Sequence, residues 1–442
     1  VDKVVYLIYL FLTTTTLVLV LRALWSYTME RPVQLRALGF MVLFLAGLAT
    51  TYFYVRGRQP DMLGVARAEF AKAPDAAVRI AAAWPSDDPG FIEGAQIAAD
   101  EINASAPSFR TTDGEEIKFT VEIAPFAYDR SSAQTLGRQV IRDTQILGVV
   151  GHSDAVSAIR GTASYNASAL VHFIPTVRKT TLTENPFSGT FQLVADDNVV
   201  ANHIADFIWE TGHKNITIVA ARDEYTHQLY IYLQNALALN VLGDDSDPDA
   251  PRAQITDDVP VATYLTYADA GLVYPELVTS LKEQNSDFIV IFDEDPSAVE
   301  LLTEMLRRRL ELPVMILPKV ASLYPEIEKN VYNGVDKAQK DLIHVVDLND
   351  ALIRANSTDA ATYRQALLED YGYDAVMLMS EMWERSDTLV PTVAATYLRA
   401  LPDWSFAGQS IDFLPRGGIA EPRVVIRRLT EIFPDAAAVT EE

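Results

Sequence analysis

His152, Ser153 and Asp154 set a histidine, a hydroxyl and a carboxylate in three consecutive positions. These are the residue types of an acyl-transfer relay, in which the imidazole must reach the hydroxyl while the carboxylate orients it from behind. Three adjacent residues of one loop cannot take up that geometry, so the trio is excluded as a catalytic relay. The six histidines show no H-E-x-x-H or similar metal spacing. The acid-rich run GDDSDPDAP at 243–251 lacks the spacing and closing glutamate of an EF-hand, and reads as a solvated insertion. Gly161, Gly189 and the pair Gly417 and Gly418 belong to no phosphate-binding loop of recognised form. The chain has no cysteine, which excludes disulfides and thiolate chemistry. Nothing in the sequence argues for an enzyme, a cofactor or a metal.

The charge balance narrows the partners. The 442-residue chain carries 36 basic and 60 acidic side chains. Six of the basic and two of the acidic residues fall within 1–60, so the remainder has a net charge of −28. A surface this acidic repels nucleic acid and anionic lipid faces.

Two stretches stand apart. Residues 4–21 (VVYLIYLFLTTTTLVLVL) and 37–55 (ALGFMVLFLAGLATTYFYV) carry no charge. Each is close to the roughly 20 residues that a helix rising 1.5 Å per residue needs to cross a bilayer. Aromatic residues at Tyr6, Tyr9, Trp25, Tyr27, Tyr52 and Tyr54 sit near their ends, as interfacial anchors do. Residues 1–60 are therefore expected to form two membrane helices. Arg22, Arg31 and Arg36 favour a cytoplasmic connecting loop, while Arg56 and Arg58 pull the other way.

Beyond a polar connector at 61–75, short apolar runs alternate with amphipathic stretches. The predicted strands are 78–83, 117–123, 148–150, 171–174, 216–220, 261–264, 288–292 and 314–317. The predicted helices are 91–103, 132–143, 156–166, 199–210, 229–237, 274–284 and 296–309. This alternation implies βαβ units and parallel sheets covered on both faces, an α/β fold.

Several segments together carry a resemblance. They are GAQIAADEINA (94–104), AYDRSSAQT (127–135), the ungapped stretch GVVGHSDAVSAIRGTASYNASALVHFIPTVRKTTLT (148–183), NITIVAARDEYTHQLYIYLQNAL (215–237), SDFIVIFDEDPSAVELLTEMLRR (286–308) and YGYDAVMLM (371–379). In order and spacing they resemble type I periplasmic binding proteins, the receptors of branched-chain amino acid ABC transporters. The resemblance implies two doubly wound, Rossmann-like lobes joined by three crossings. Lobe I would take 76–195 and 317–405, lobe II 196–316 and 406–436, leaving a tail at 437–442. Ligand would sit between the lobes at strand carboxyl ends and helix amino ends. It also implies that the large domain is periplasmic, held at a bacterial inner membrane by residues 1–60.

In amino-acid receptors of this family, a serine after the third strand and a small residue plus threonine after the fourth hold the ligand carboxylate. A tyrosine and an acidic residue of lobe II meet its ammonium. The serine position falls here on Ala155, and the small–threonine pair on Val177 and Arg178, just after Thr176. Tyr225 keeps the tyrosine, while the acidic position falls on Ser297, preceded by Asp293, Glu294 and Asp295. Alanine and valine donate no side-chain bond and Ser297 carries no charge, so a free α-amino acid is not expected in the usual pose. His152 and Ser153 adjoin the pocket loop, with His152 either bonding ligand or bracing backbone. Trp84 and Phe91 flank the first loop, as a ligand cover or as core. Asp196, Asp197 and Asn198 are expected to cap the helix that opens lobe II.

Two readings of the cleft stay open. Arg178 and Lys179 could receive a small anionic ligand, making the chain a tethered solute-binding component for a transporter or another membrane partner. Alternatively, Arg178 pairs with an acid such as Asp293 or Glu294, and the chain is a scaffold subunit of a larger membrane complex with a degenerate cleft.

Overall fold

The computed structural model describes residues 62–72, 77–110, 114–128, 133–184, 189–221, 224–242, 260–267, 274–293, 296–317, 336–348, 360–406, 409–422 and 424–432, with Gly47, Ile327, 329–331 and Gly334 besides. The expected membrane segments 4–21 and 37–55 lie outside these residues, apart from Gly47. Among the described residues no helix is long and apolar enough to cross a membrane. Residues 1–62 and 63–442 form two separate units, and the second holds the elements described next.

Helix α1 (residues 62–71) precedes β1 (Val78–Pro85), α2 (Gly90–Ser105), the short strands β2 (Ser108–Arg110) and β3 (Glu116–Lys118), and β4 (Val121–Tyr128). Then come α3 (Ala133–Val140), β5 (Ile146–Gly151), α4 (Ala155–Ala167), β6 (Val171–Ile174), α5 (Thr181–Glu184) and β7 (Thr190–Gln192). β4-β1-β5-β6-β7 make a five-stranded sheet, parallel throughout. Runs such as VVG and VHFI are buried at every position, because helices cover both faces.

The second sheet uses α6 (Asp197–Thr211), β8 (Asn215–Ala221), α7 (Glu224–Leu242), β9 (Val261–Tyr267), α8 (Tyr274–Glu283), β10 (Phe288–Phe292), α9 (Pro296–Arg307) and β11 (Val314–Ile316). α10 (Lys337–Lys340) and β12 (Ile343–Leu348) follow. Its order is β15-β12-β11-β10-β8-β9, where β15 is Val424–Arg428 and pairs antiparallel with β12. Between β12 and β15 lie α11 (Ala360–Arg385), α12 (Pro391–Ala400), β13 (Trp404–Phe406) and β14 (Gln409–Ile411); α13 (Leu429–Ile432) ends the described chain.

This corrects the expected lobe boundaries. Residues 317–405 were assigned to the first lobe, but β12 pairs in register with β11 (Val314 opposite Ile343) and belongs to the second sheet. The chain therefore stays with the second lobe through Leu348. Residues 406–436 were assigned to the second lobe, yet residues 412–420 fold onto the first. Phe413 bridges Ile419, Phe413 meets Phe191 of β7 edge to face at 5.0 Å, and Gln192 N donates to Gly417 O at 2.8 Å. Gly417 has φ +85°, and a Cβ there would stand 2.1 Å from Thr190 O, so only glycine fits this approach.

The first lobe is held by α11 crossing α2 at unusually short range. A Cβ on Gly94 would lie 1.9 Å from Glu369 O, and one on Gly372 would lie 2.0 Å from Phe91 O. Trp383, Tyr371 and Phe91 are buried around this crossing. At its far end Arg67 of α1 is buried and donates to four carbonyls. These are Ser168 O (3.2 Å), Asp143 O (2.7 Å), Ile146 O (3.0 Å) and Ile141 O (3.0 Å). Ile141, Asp143 and Ser168 follow α3 and α4, whose last turns leave acceptors unsatisfied, so one guanidinium caps two helix ends and also reaches the start of β5 at Ile146.

Candidate ligand-binding site

The loop after β5 begins at Gly151, whose φ of +120° and the 2.1 Å approach of Ala83 O to a would-be Cβ require glycine. His152 follows, fully buried. Its Nε2 lies 3.0 Å from Tyr165 Oη, and its ring lies among those of Tyr128, Tyr165 and His172. Burial pushes its pKa down to about 3, so the ring is neutral. His172 is also buried, and its Nε2 donates to Gly151 O at 2.9 Å, which leaves Nδ1 to accept from Thr162 Oγ1 at 3.0 Å. The carbonyl of His152 accepts from Thr176 Oγ1 at 3.3 Å, which braces the loop, while its ring Nδ1 is buried with no hydrogen-bond partner among the described residues.

Asp154 is the N-cap of α4. Its carboxylate accepts from Ser157 N (2.9 Å), Ser157 Oγ (2.7 Å) and Tyr128 Oη (3.3 Å). Ser153 N points at Tyr128 Oη at 3.4 Å, and its hydroxyl lies 3.5 Å from the same atom. The imidazole of His152 thus faces Tyr165 while Ser153 faces Tyr128, and no relay exists. Ala155 is the first residue of α4 and offers no side-chain donor.

The loop after β6 carries Thr176, Val177, Arg178, Lys179 and Thr180. Gln192 Nε2 donates to Val177 O at 2.6 Å, tying this loop to β7. Arg178 Nε lies 3.5 Å from Asp197 Oδ1, with side-chain exposures of 3% and 2%, and Asp197 N donates to Arg178 O at 2.9 Å. Among the described residues the acid that pairs with Arg178 is Asp197, at the first turn of α6. Asp196 caps that helix through Asn198 N and Val199 N, which frees the Asp197 carboxylate to turn inward.

Lys179 and Thr180 reach the second lobe. Lys179 Nζ donates to Gln228 Oε1 at 2.6 Å, and Thr180 Oγ1 lies 2.8 Å from Tyr232 Oη, which also accepts from Gln228 Nε2 at 2.7 Å. Gln228 and Tyr232 are one turn apart on α7, a pairing the sequence reading missed although their i, i+4 spacing puts them on one face. Tyr225 falls in the first turn of α7, and its side chain lies outside the described residues. Asp293, at the end of β10, is buried and accepts a hydrogen bond from Ser297 Oγ at the start of α9. Nearby, Tyr274 is pushed up to about 12 by burial, then by Glu300 and Asp293. Glu294 and Asp295 lie outside the described residues.

Trp84 is the penultimate residue of β1, one beyond Ala83, which pairs with Gly151, so it stands level with His152. It is 2% exposed and stacks on Phe91 with centroids 4.0 Å apart and planes 11° from parallel. Its indole Nε1 has no hydrogen-bond partner among the described residues. Among those residues no group of three or more histidine, aspartate or glutamate side chains is placed to hold a metal ion.

Neither a protein-family model nor a curated protein matches the chain. Solved structures do. An ABC transporter substrate-binding protein from Desulfitobacterium hafniense is 19% identical, over 80% of this chain and 97% of that one, with a TM-score of 0.60. A leucine-binding protein from Thermotoga maritima is 15% identical over 80% and 95%, with a TM-score of 0.61. A solute-binding protein from R. palustris in complex with benzoate is 11% identical over 80% and 93%, with a TM-score of 0.58. At these identities the likeness shows the fold: two parallel-sheet α/β lobes of the type I periplasmic binding protein kind.

Proposed function

We propose that the chain is a solute-binding component that closes its two lobes over a small ligand and presents it to a partner in the membrane where residues 1–60 hold it. The observation that carries this reading is the meeting of strand carboxyl ends. Lys179 and Thr180 follow β6 of one parallel sheet, and they touch Gln228 and Tyr232 on the helix that follows β8 of the other. Ligands of open α/β sheets bind outside such ends. Substrate-binding proteins of this fold have been solved with leucine and with benzoate. The buried indole N–H of Trp84, level with the β5 loop, is a donor suited to a ligand acceptor.

For the ligand we propose a small anionic solute, because Arg178 and Lys179 place two cationic side chains on the loop after β6, at the carboxyl end of a parallel strand.

A thermal-shift series on the full chain in mild detergent tests this, with branched-chain amino acids, benzoate and small dicarboxylates as probes. Binding at a hundredfold excess over Kd adds about 2.7 kcal/mol to the native state. At least one solute is expected to raise the Tm, and Trp84→Phe, which keeps the stacked ring but removes the N–H, to reduce the rise. No shift with any solute favours the second reading, a scaffold with a closed cleft. That reading draws on the same bonds, since Thr180–Tyr232 and Lys179–Gln228 join the lobes directly.

A further inference from the structure

Helix α1 is built inside out. Gly64, Arg67, Ala68 and Ala71 recur at i, i+3, i+4 and i+7 and face the protein, whereas Met62, Leu63, Val65 and Phe70 are 47%, 46%, 47% and 56% exposed. An ordinary surface helix turns its large apolar side chains inward. Here the small ones are inward, because α1 sits close: a Cβ on Gly64 would stand 3.4 Å from Ala169 and 3.5 Å from the ring of Pro391. Pro391 opens α12, which itself exposes Val393 (43%) and Tyr397 (45%).

The place of this face is fixed by Arg67. Its bonds to Ile146 O and Ser168 O hold α1 at the amino ends of β5 and β6, opposite the loops that carry His152 and Arg178. Six residues separate Met62 from the uncharged run that ends at Val55. Fully extended they span at most about 20 Å. The domain's net negative charge excludes electrostatic attraction to anionic headgroups, so a membrane contact here must be apolar.

We propose that the exposed face of α1 lies in the headgroup boundary of a lipid bilayer. This rests on the reading of residues 37–55 as membrane-spanning. The absence of cysteine makes a direct test clean. Val65→Cys, Phe70→Cys and, as a control on α7, Ile231→Cys variants of the full chain are labelled with an environment-sensitive fluorophore and reconstituted into phosphatidylcholine vesicles. Lipids bearing a doxyl quencher are expected to quench the labels at 65 and 70 several-fold more than the label at 231, with acrylamide in the water showing the reverse order. If the chain floats with the vesicles but all three labels respond alike to acrylamide, the lipid contact is overturned while anchoring stands. Labels at 65 and 70 shielded from both quenchers place a protein on this face and also overturn it. A chain that fails to float overturns the anchoring reading along with this one.

Discussion

The guanidinium of Arg178 and the carboxylate of Asp197 meet at 3.5 Å with both side chains almost wholly buried, and the backbone of the same two residues is hydrogen-bonded at 2.9 Å. Their pairing joins the loop after β6 to the helix that opens the second lobe. Breaking one partner of a buried pair leaves an uncompensated charge, which costs about 3–5 kcal/mol. Arg178→Ala is therefore expected to lower stability by that order, measured by denaturant unfolding. Replacing both partners (Arg178→Met with Asp197→Leu) should recover much of the loss. A single variant as stable as the parent would refute the structural role.

Acid should weaken the histidine cluster. His152 has a pKa of about 3 in the folded protein, against an ordinary value of 6.5, because burial disfavours its charge. Between these values the unfolded chain binds a proton that the folded one does not, so stability falls as pH drops below 6.5. The slope is at most about 1.4 kcal/mol per pH unit for each such histidine. His172 is lowered in the same direction by burial and by His152. His152→Asn is expected to be less stable than the parent at pH 7.5, with the gap narrowing toward pH 5. A gap that does not change with pH would contradict this.

On the proposed two-state closure, the contacts of Lys179 and Thr180 with α7 favour the closed arrangement. Each is a single polar bond of the kind worth about 1 kcal/mol net. Removing both with Lys179→Ala and Tyr232→Phe should shift the population toward the open form without unfolding the chain. Small-angle scattering is expected to show a larger radius of gyration for the double variant. An unchanged radius would mean that other contacts hold the lobes.

The crossing of α2 and α11 tolerates no side chain at Gly94, where a Cβ would fall 1.9 Å from Glu369 O. Gly94→Ala must push the two helices apart, and overpacking of this kind costs about 1–3 kcal/mol or more. A fall in Tm with loss of cooperativity is expected. Ala at the exposed Gly334, where nothing lies within 4 Å of a Cβ, is the neutral comparison.

Much of the frame was legible in the sequence. FIVIF at 288–292 and VHFI at 171–174 are continuous apolar runs, and both are strands with those bounds. The run 117–123, expected as one strand, divides at Phe119, because Glu116–Lys118 pairs with Ser108–Arg110 while Val121 onward joins the main sheet. β12 and β15 were missed. IHVVDL holds a histidine and an aspartate, and VVIRR is an antiparallel edge strand, only partly buried, so neither shows the apolar run of a central strand. The site was less legible still. Asp197 stands 19 positions from Arg178, and its pairing depends on Asp196 taking the cap beside it, a division of labour between two adjacent aspartates that spacing alone does not reveal.

The Gly417 turn has a bearing on how copies of the chain behave together. β7 is the border strand of the first sheet, and a border strand with free N–H and C=O groups is a template on which another molecule's strand can grow. The carbonyl of Gly417 takes the Gln192 N–H, and Phe413 covers the ring of Phe191. That border is sealed from within the same chain. At high local concentration, such molecules are kept from pairing along this edge by a glycine more than 200 residues downstream of the strand it protects.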